Sequence, residues 1–230
     1  MNQNVREAIS AEELSGFNAA PEISDEIRLR ITTTPVPPQR ADGLAQHYAS
    51  LARMKPNVRL ALVGDSLIAN WPKEFWAKDG SVLNLGCRGD KVQNVLWRLT
   101  QVEMRSIAPE MVVVLVGTNN FPTDAAKAIC SGIDAIVSQI RLVWPHAYLM
   151  AIEVPPRGKN FQDFAPKRSY YNQHLRKLAK NGAIDATLNV DEVLLPGSTE
   201  DTSHYLPDLL HLSPEGYRKV SQRLRDQSRV

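Results

Sequence analysis

Cysteine is scarce in this chain of 230 residues, which contains only Cys87 and Cys130. Two cysteines without a C-x-x-C spacing predict neither a disulfide framework nor a zinc site. A dominant charge is also missing, because 27 Lys and Arg are balanced by 25 Asp and Glu. The formal net charge of +2 therefore gives no reason to expect a nucleic-acid partner.

Long apolar runs are absent as well. No run approaches the roughly 18 residues of a membrane-spanning helix, and the first residues lack the apolar segment of a secretory signal. We therefore expect no integral membrane segment, and we take the cytoplasm as the default location unless a signal peptide has been removed. The 43% of hydrophobic and 23% of charged residues are typical of one globular domain.

The chain divides into two parts of different composition. Residues 1–40 are polar and end in a stretch that contains Pro35, Pro37 and Pro38, which disfavour helix. This part is predicted to be an irregular N-terminal arm or linker. Helical spacing of apolar residues begins just after it, so the folded domain is predicted to cover residues 41–230.

Short apolar runs alternate with helical patterns throughout the predicted domain. The apolar runs predict buried strands at 60–63, 82–86, 111–117, 147–154 and 183–190. Caps and helical spacing predict helices at 67–77, 90–100, 124–143, 166–180 and 214–227. This alternation predicts an α/β protein: a flavodoxin-like three-layer α/β/α sandwich with a five-stranded parallel sheet in the order 2-1-3-4-5.

Polar residues and glycines follow several of the predicted strands. The carboxyl ends of parallel strands gather at one edge of the sheet, which is where ligands bind in this class of fold. The residues placed there are Ser66, Gly89, Asn119, Asn120, Asp208 and His211. The sequence therefore predicts a polar site at this edge.

These residue types are the ones that acyl transfer requires. A serine hydroxyl becomes a useful nucleophile when an imidazole removes its proton, and a carboxylate must hold that imidazole in the right tautomer. Asp208 and His211 are three residues apart, which lets the carboxylate reach one ring nitrogen while the other faces Ser66. Oxyanion donors would be the backbone N–H groups of Ser66 and Gly89 and the side-chain amide of Asn119.

Each feature also has a structural interpretation when it is taken alone. Ser66 and the pair Asp208 and His211 are common helix caps, glycines make turns, and Asn often bonds to loop backbone. The catalytic interpretation is favoured because separate segments each supply one required part at the same edge.

The same residues resemble those of the SGNH (GDSL-like) hydrolases. The resemblance covers "GDSL" at 64–67, the glycine of "GCRGD" at 89, "GTNN" at 117–120 and "DLLH" at 208–211. Further blocks at 94–99 and 155–158 resemble the catalytic alpha subunits of intracellular platelet-activating-factor acetylhydrolase. The resemblance implies a Ser66, Asp208 and His211 triad, an oxyanion hole of Ser66, Gly89 and Asn119, no metal or organic cofactor, and a homodimer.

Other residues are candidate substrate contacts. Arg88 stands where the similar subunits have a small residue, and it either faces solvent or binds a carboxylate or phosphate of the substrate. Phe161 either forms part of the mouth of the site or anchors its loop to the core. Asn120 and His204 complete this group, and His204 has the alternative role of bonding the loop backbone.

The favoured function is therefore a serine ester hydrolase that removes a short, acetyl-like group through an acyl-enzyme. Its substrate would be an O-acetylated carbohydrate or a small acylated lipid. The alternatives are a phosphate or nucleotide binding module on the same fold, and an inactive interaction protein.

Overall fold

The computed structural model describes residues 24–76, 79–195 and 201–227. Its centre is a five-stranded sheet in which every pair of neighbouring strands is parallel. The strands are β1 (Leu60–Gly64), β2 (Val82–Asn84), β3 (Met111–Leu115), β4 (Tyr148–Ile152) and β5 (Ala186–Leu188). Their order is β2-β1-β3-β4-β5, which confirms the predicted sheet.

Helices cover both faces of this sheet. They are α1 (Asp25–Thr33), α2 (Ala41–Leu51), α3 (Ser66–Ala69), α4 (Val92–Leu99), α5 (Ala126–Val143), α6 (Ala165–Lys180), α7 (Asp191–Leu194) and α8 (Pro214–Gln227). Short 3₁₀ helices lie at Lys73–Phe75, Val102–Ser106 and Lys159–Phe161. The protein is thus a three-layer α/β/α sandwich. Among the described residues, no helix is both long and apolar enough to span a lipid bilayer.

The core lies between the sheet and its helices. All five residues of β3 are buried, which is why this central strand reads as an unbroken apolar run. On one face, the Trp71 indole N–H donates to the Ser221 hydroxyl at 2.9 Å, and Tyr217 donates to the carbonyl of Leu67 at the same distance. These bonds tie α8 to the segment that follows β1.

The structure departs from the sequence expectations in two places near the site. The helix predicted at 67–77 is two short elements, because Pro72 restricts Trp71 to extended backbone and ends α3 early. The strand predicted at 82–86 ends at Asn84, so Gly86 belongs to the following loop.

The predicted irregular arm also differs from the structure. Asp25–Thr33 forms α1, with the Ser24 hydroxyl accepting the Ile27 N–H at its start. Thr32 is fully buried and donates to the Ala128 carbonyl at 2.7 Å, which attaches α1 to α5. The first 23 positions of the predicted arm lie outside the described residues.

Candidate active site

Ser66 lies at the turn between β1 and α3, at the carboxyl edge of the sheet. Asp65 caps α3, and its carboxylate accepts the Leu67 N–H at 2.9 Å. Gly64 is required before this turn because a Cβ there would lie 2.0 Å from the Leu115 carbonyl oxygen. The close packing of β1 against β3 thus fixes the backbone that carries Ser66, whose side chain is largely buried.

The end of β2 supports the same short helix from the other side. The Asn84 amide donates to the Ile68 carbonyl at 2.7 Å. A Cβ on Gly86 would lie only 2.4 Å from the backbone nitrogen of Ala69. The glycine therefore permits the loop after β2 to pack directly on α3.

Asp208 and His211 lie on a loop closed by an antiparallel bridge between Tyr205 and Leu212. Inside it, the Leu206 N–H donates to the His211 carbonyl at 2.8 Å. Leu209 adopts a left-handed backbone with a φ of 50°, which is uncommon for a residue with a side chain. This tight turn brings Asp208 back towards the histidine that follows it.

The structure brings Ser66, His211 and Asp208 into one chain of hydrogen bonds. The Ser66 Oγ lies 2.9 Å from His211 Nε2. The other ring nitrogen, Nδ1, lies 2.6 Å from Asp208 Oδ2. The remaining oxygen of Asp208 accepts the N–H groups of Leu210 at 3.0 Å and His211 at 2.9 Å. The imidazole thus has a carboxylate on one side and the serine on the other.

Asp208 is held as a carboxylate. Burial alone would raise the pKa of Asp208, but hydrogen bonds from the His211 ring and from two backbone N–H groups outweigh it, so the pKa is lowered. An ionised Asp208 accepts a hydrogen bond from Nδ1–H, which leaves Nε2 free to accept the serine proton. This arrangement is the one that activates a serine hydroxyl.

The other two predicted oxyanion residues, Gly89 and Asn119, lie on the loops that follow β2 and β3, and these loops are joined to each other. Gly89 has a φ of 78°, a conformation that favours glycine. The Asn119 amide donates at 2.9 Å to the carbonyl of Asp90, the residue that follows Gly89. Among the described residues, the backbone N–H groups of Ser66 and Gly89 have no acceptor. These donors are therefore available to a bound oxyanion.

A buried ion pair supports the loop that carries Gly89. The Asp90 carboxylate accepts from Arg98 at 2.5 Å and 3.2 Å, and both side chains are almost fully buried. Arg98 also donates to the Gly43 carbonyl at 3.2 Å, which links the loop to α2. In the sequence, Asp90 is an acidic residue just before α4 and Arg98 is a basic residue in the last turn of that helix. Nothing in this pattern predicts that the two are paired.

The candidate substrate contacts occupy different environments. Arg88 is exposed, and its Nε donates to Asn70 Oδ1 at 2.7 Å. Phe161 is buried, with its ring centroid 4.7 Å from that of Tyr205. His204 is buried and its Nδ1 lies 2.9 Å from the Leu194 carbonyl. Arg88 alone of these three presents its side chain at the surface.

Asn120 is fully buried in the loop after β3. Its side-chain oxygen accepts the Val92 N–H at 3.0 Å, and its amide donates to Gln93 at 3.2 Å and Asp124 at 2.9 Å. These bonds join the loop that carries Asn119 to the start of α4. The side chain of Asn120 is thus engaged inside the protein.

Two charged residues near the site were not singled out from the sequence. Asp65 is fully buried and its Oδ2 has no hydrogen-bond partner among the described residues, so burial raises the pKa of Asp65 to about 7. Arg40 lies beside the loop that carries Gly89, since a Cβ on Gly89 would be 2.7 Å from the Arg40 Nη1. In the sequence, Asp65 lies within the GDSL block and Arg40 ends the stretch that contains Pro35, Pro37 and Pro38, and neither position predicts these contacts. In the described part of the chain, no cluster of His, Cys, Asp and Glu has the form of a metal site.

Comparisons with known proteins show the family to which the chain belongs and agree with the fold. The chain is 32% identical over 198 residues to platelet-activating factor acetylhydrolase IB subunit alpha1 of Rattus norvegicus, covering 83% of this chain and 85% of the relative. It is 33% identical over 168 residues to subunit alpha2 of Homo sapiens, covering 71% and 73%.

A solved structure has the same fold at low sequence identity. A GDSL-like lipase from Bacteroides thetaiotaomicron superposes with a TM-score of 0.66 at 16% identity, covering 79% of this chain and 95% of the other. Residues 59–219 match the GDSL-like Lipase/Acylhydrolase family, and this range contains Ser66, Gly89, Asn119, Asp208 and His211. The chain belongs to the GDSL-like lipase/acylhydrolase family and is a carboxylic ester hydrolase.

Proposed function

We propose that the protein removes a short, acetyl-like group from an ester by a Ser66, His211 and Asp208 triad. The observation that carries this proposal is the continuous hydrogen-bonded chain from Asp208 Oδ2 to His211 Nδ1 and from His211 Nε2 to Ser66 Oγ. Each atom in this chain has the neighbour that its role requires.

In this mechanism, His211 Nε2 takes the proton of Ser66 Oγ as the oxygen attacks the ester carbonyl. The tetrahedral intermediate carries its negative charge on the former carbonyl oxygen, where the N–H groups of Ser66 and Gly89 and the Asn119 amide stabilise it. Protonated His211 then donates its proton to the departing alcohol. A water molecule, activated by His211 in the same way, hydrolyses the acyl-enzyme and restores Ser66.

The preference for a short acyl group rests on relatives that are named acetylhydrolases. We propose an O-acetylated carbohydrate or a small acylated lipid as the substrate, and a homodimer as the assembly. Size-exclusion chromatography with light scattering tests the assembly, and a monomeric mass would contradict it.

The geometry around Ser66 argues against the alternative of a phosphate-binding module. Helix α3 has only four residues, and the Leu67 N–H at its start is already taken by the Asp65 carboxylate. The hydrolase proposal also gives Asp208 and His211 a role, which the phosphate proposal does not.

The proposal is tested with p-nitrophenyl acetate, butyrate and octanoate as substrates for the wild type and for Ser66→Ala. We expect kcat/KM to be greatest for the acetate, and Ser66→Ala to lose at least about 10³-fold, because the nucleophile is gone. Ser138→Ala is the matched control, since its exposed hydroxyl bonds only to its own helix at Asp134. Equal turnover by Ser66→Ala and wild type would contradict the mechanism, and faster octanoate hydrolysis would contradict the short acyl group.

A further inference from the structure

A groove of about 770 Å³ runs along the open edge of the sheet. Within the described ranges, strand β2 is the outermost strand on this side and pairs with β1 alone. The groove lies between the outer edge of β2, helix α2 and the segment after α3. Its volume is in the range of small-molecule sites.

Among the described residues, the charged side chains that line this groove are all basic. They are Arg53, Lys55, Lys73 and Arg88, and each is exposed. In the described ranges, none of the four has a carboxylate within ion-pair distance, although most other arginines of the protein are paired. Uncompensated positive charge in a concave surface attracts an anion.

Aromatic surface lies beside these cations. Trp71 and Trp76 both line the groove, with their ring centroids 4.6 Å apart. The indole N–H of Trp76 is shielded from solvent and has no acceptor among the described residues. The partly exposed ring of Trp76 thus adds apolar contact to the positive charge of the groove.

One end of the groove reaches the elements that carry the proposed catalytic residues. Ala69, the last residue of α3, and Gly86, in the loop after β2, both line it. Arg88 lines it too and is the immediate neighbour of the oxyanion glycine, Gly89. Its Nε is held by Asn70 Oδ1, and among the described residues its two terminal nitrogens have no partner. A guanidinium fixed in this way is suited to bind a carboxylate, sulfonate or phosphate in bidentate fashion.

We propose that this groove binds an anionic group on the part of the substrate that remains outside the acyl pocket, and that Arg88 is the residue that selects it. This inference rests on the proposed ester hydrolysis at Ser66. It specifies the substrates as esters whose alcohol or phenol portion carries an anionic group. The anion lies in the groove between Arg88 and the more distant lysines while the acyl group reaches Ser66. Strand addition by an acidic peptide is disfavoured because β2 has only three residues.

The test compares two aryl acetates of nearly equal shape, 4-acetoxybenzenesulfonate and 4-acetoxybenzenesulfonamide, which differ in charge. For the wild type at low ionic strength, we expect kcat/KM to be about tenfold or more higher for the sulfonate, after correction for their rates of spontaneous hydrolysis. The preference should fall steeply with added salt. Arg88→Gln should reduce it to about twofold or less, and Lys73→Gln should reduce it partly.

Arg105→Gln is the matched control, because Arg105 is exposed on a 3₁₀ helix that does not line the groove. This variant should keep the full preference. If the wild type hydrolyses both acetates equally, ester hydrolysis stands and the groove inference is overturned. If Arg88→Gln keeps the preference, or if benzenesulfonate binds without competing with the esters, the inference is likewise overturned. If neither acetate is hydrolysed, the proposed function itself fails.

Discussion

Replacement of Asp208 by asparagine separates orientation of the imidazole from folding of the loop. In the wild type, Asp208 Oδ1 accepts two backbone N–H groups and Oδ2 lies 2.6 Å from His211 Nδ1. In Asp208→Asn, the amide oxygen keeps the two backbone bonds, while the amide nitrogen faces Nδ1. Since an amide nitrogen only donates, Nδ1 must become an acceptor and the ring proton moves to Nε2.

The neutral imidazole then presents an N–H to Ser66 and cannot accept its proton. Loss of the orienting carboxylate in this way costs about 10⁴-fold in kcat in a serine protease triad. We expect a loss of the same order in kcat, with little change in KM. Because the side chain of Asp208 is 48% exposed and its backbone bonds persist, the free energy of unfolding should change by no more than about 0.5 kcal/mol.

The assay is initial-rate hydrolysis of p-nitrophenyl acetate, paired with urea unfolding of the same samples. Asp201→Asn is the matched control, because Asp201 caps a turn in the same segment by accepting the Ser203 N–H at 2.9 Å. It should keep full activity. An Asp208→Asn protein that is folded and within tenfold of wild-type kcat would refute this account of Asp208.

Three further predictions concern residues that support the site. Burial raises the pKa of Asp65 to about 7, so ionisation of Asp65 lowers the free energy of unfolding as the pH rises from about 4 to about 7. Asp65→Asn should abolish this loss, which amounts to up to about 4 kcal/mol, in urea unfolding measured across that pH range. An unchanged pH dependence would contradict the prediction. Gly86→Ala forces a Cβ against backbone, so it should lower the free energy of unfolding by about 1–3 kcal/mol and slow turnover. The control is Gly182→Ala, where the Cβ has open space but φ is 75°; it should lower the free energy of unfolding by about 1 kcal/mol and leave turnover unchanged. Arg98→Leu leaves Asp90 buried without its partner and should cost about 3–5 kcal/mol in thermal unfolding; a loss below about 1 kcal/mol would contradict the pair's role.

The sheet and its order could be predicted because buried parallel strands have a simple signature. β3 is buried at every position and therefore reads as a continuous apolar run. The rule that ligand sites form at the carboxyl edge of the sheet then placed Ser66, Asp208 and His211 together, which is where the structure has them.

Helix α1 was missed because its sequence lacks the spacing of an amphipathic helix. Its apolar residues Ile27, Leu29 and Ile31 recur every second position, and all three remain exposed in the structure. The helix is held instead by the Ser24 cap and by Thr32 bonding to α5. The contact with α5 depends on tertiary structure, so no local sequence pattern predicts it.

The groove beside β2 escaped prediction for a similar reason. Its cations Arg53, Lys73 and Arg88 come from three separate segments, which only the folded chain brings to one surface. The approach of Arg40 to Gly89 could not be predicted either, because the two residues lie far apart in the sequence and belong to no common motif. Residue types at strand ends predict a catalytic edge, but they do not predict the surface around it.

The most direct test of the central claim is the trapping of a covalent intermediate on Ser66. The wild type and His211→Gln are mixed with an acetyl ester, quenched in acid within the first turnover and digested for peptide mass spectrometry. The account predicts one acetyl group on the wild-type peptide at Ser66, and none on the His211→Gln peptide over the same time. Rapid turnover with no acylated Ser66 in the wild type, or an acetyl group on another residue whose removal abolishes activity, would contradict it.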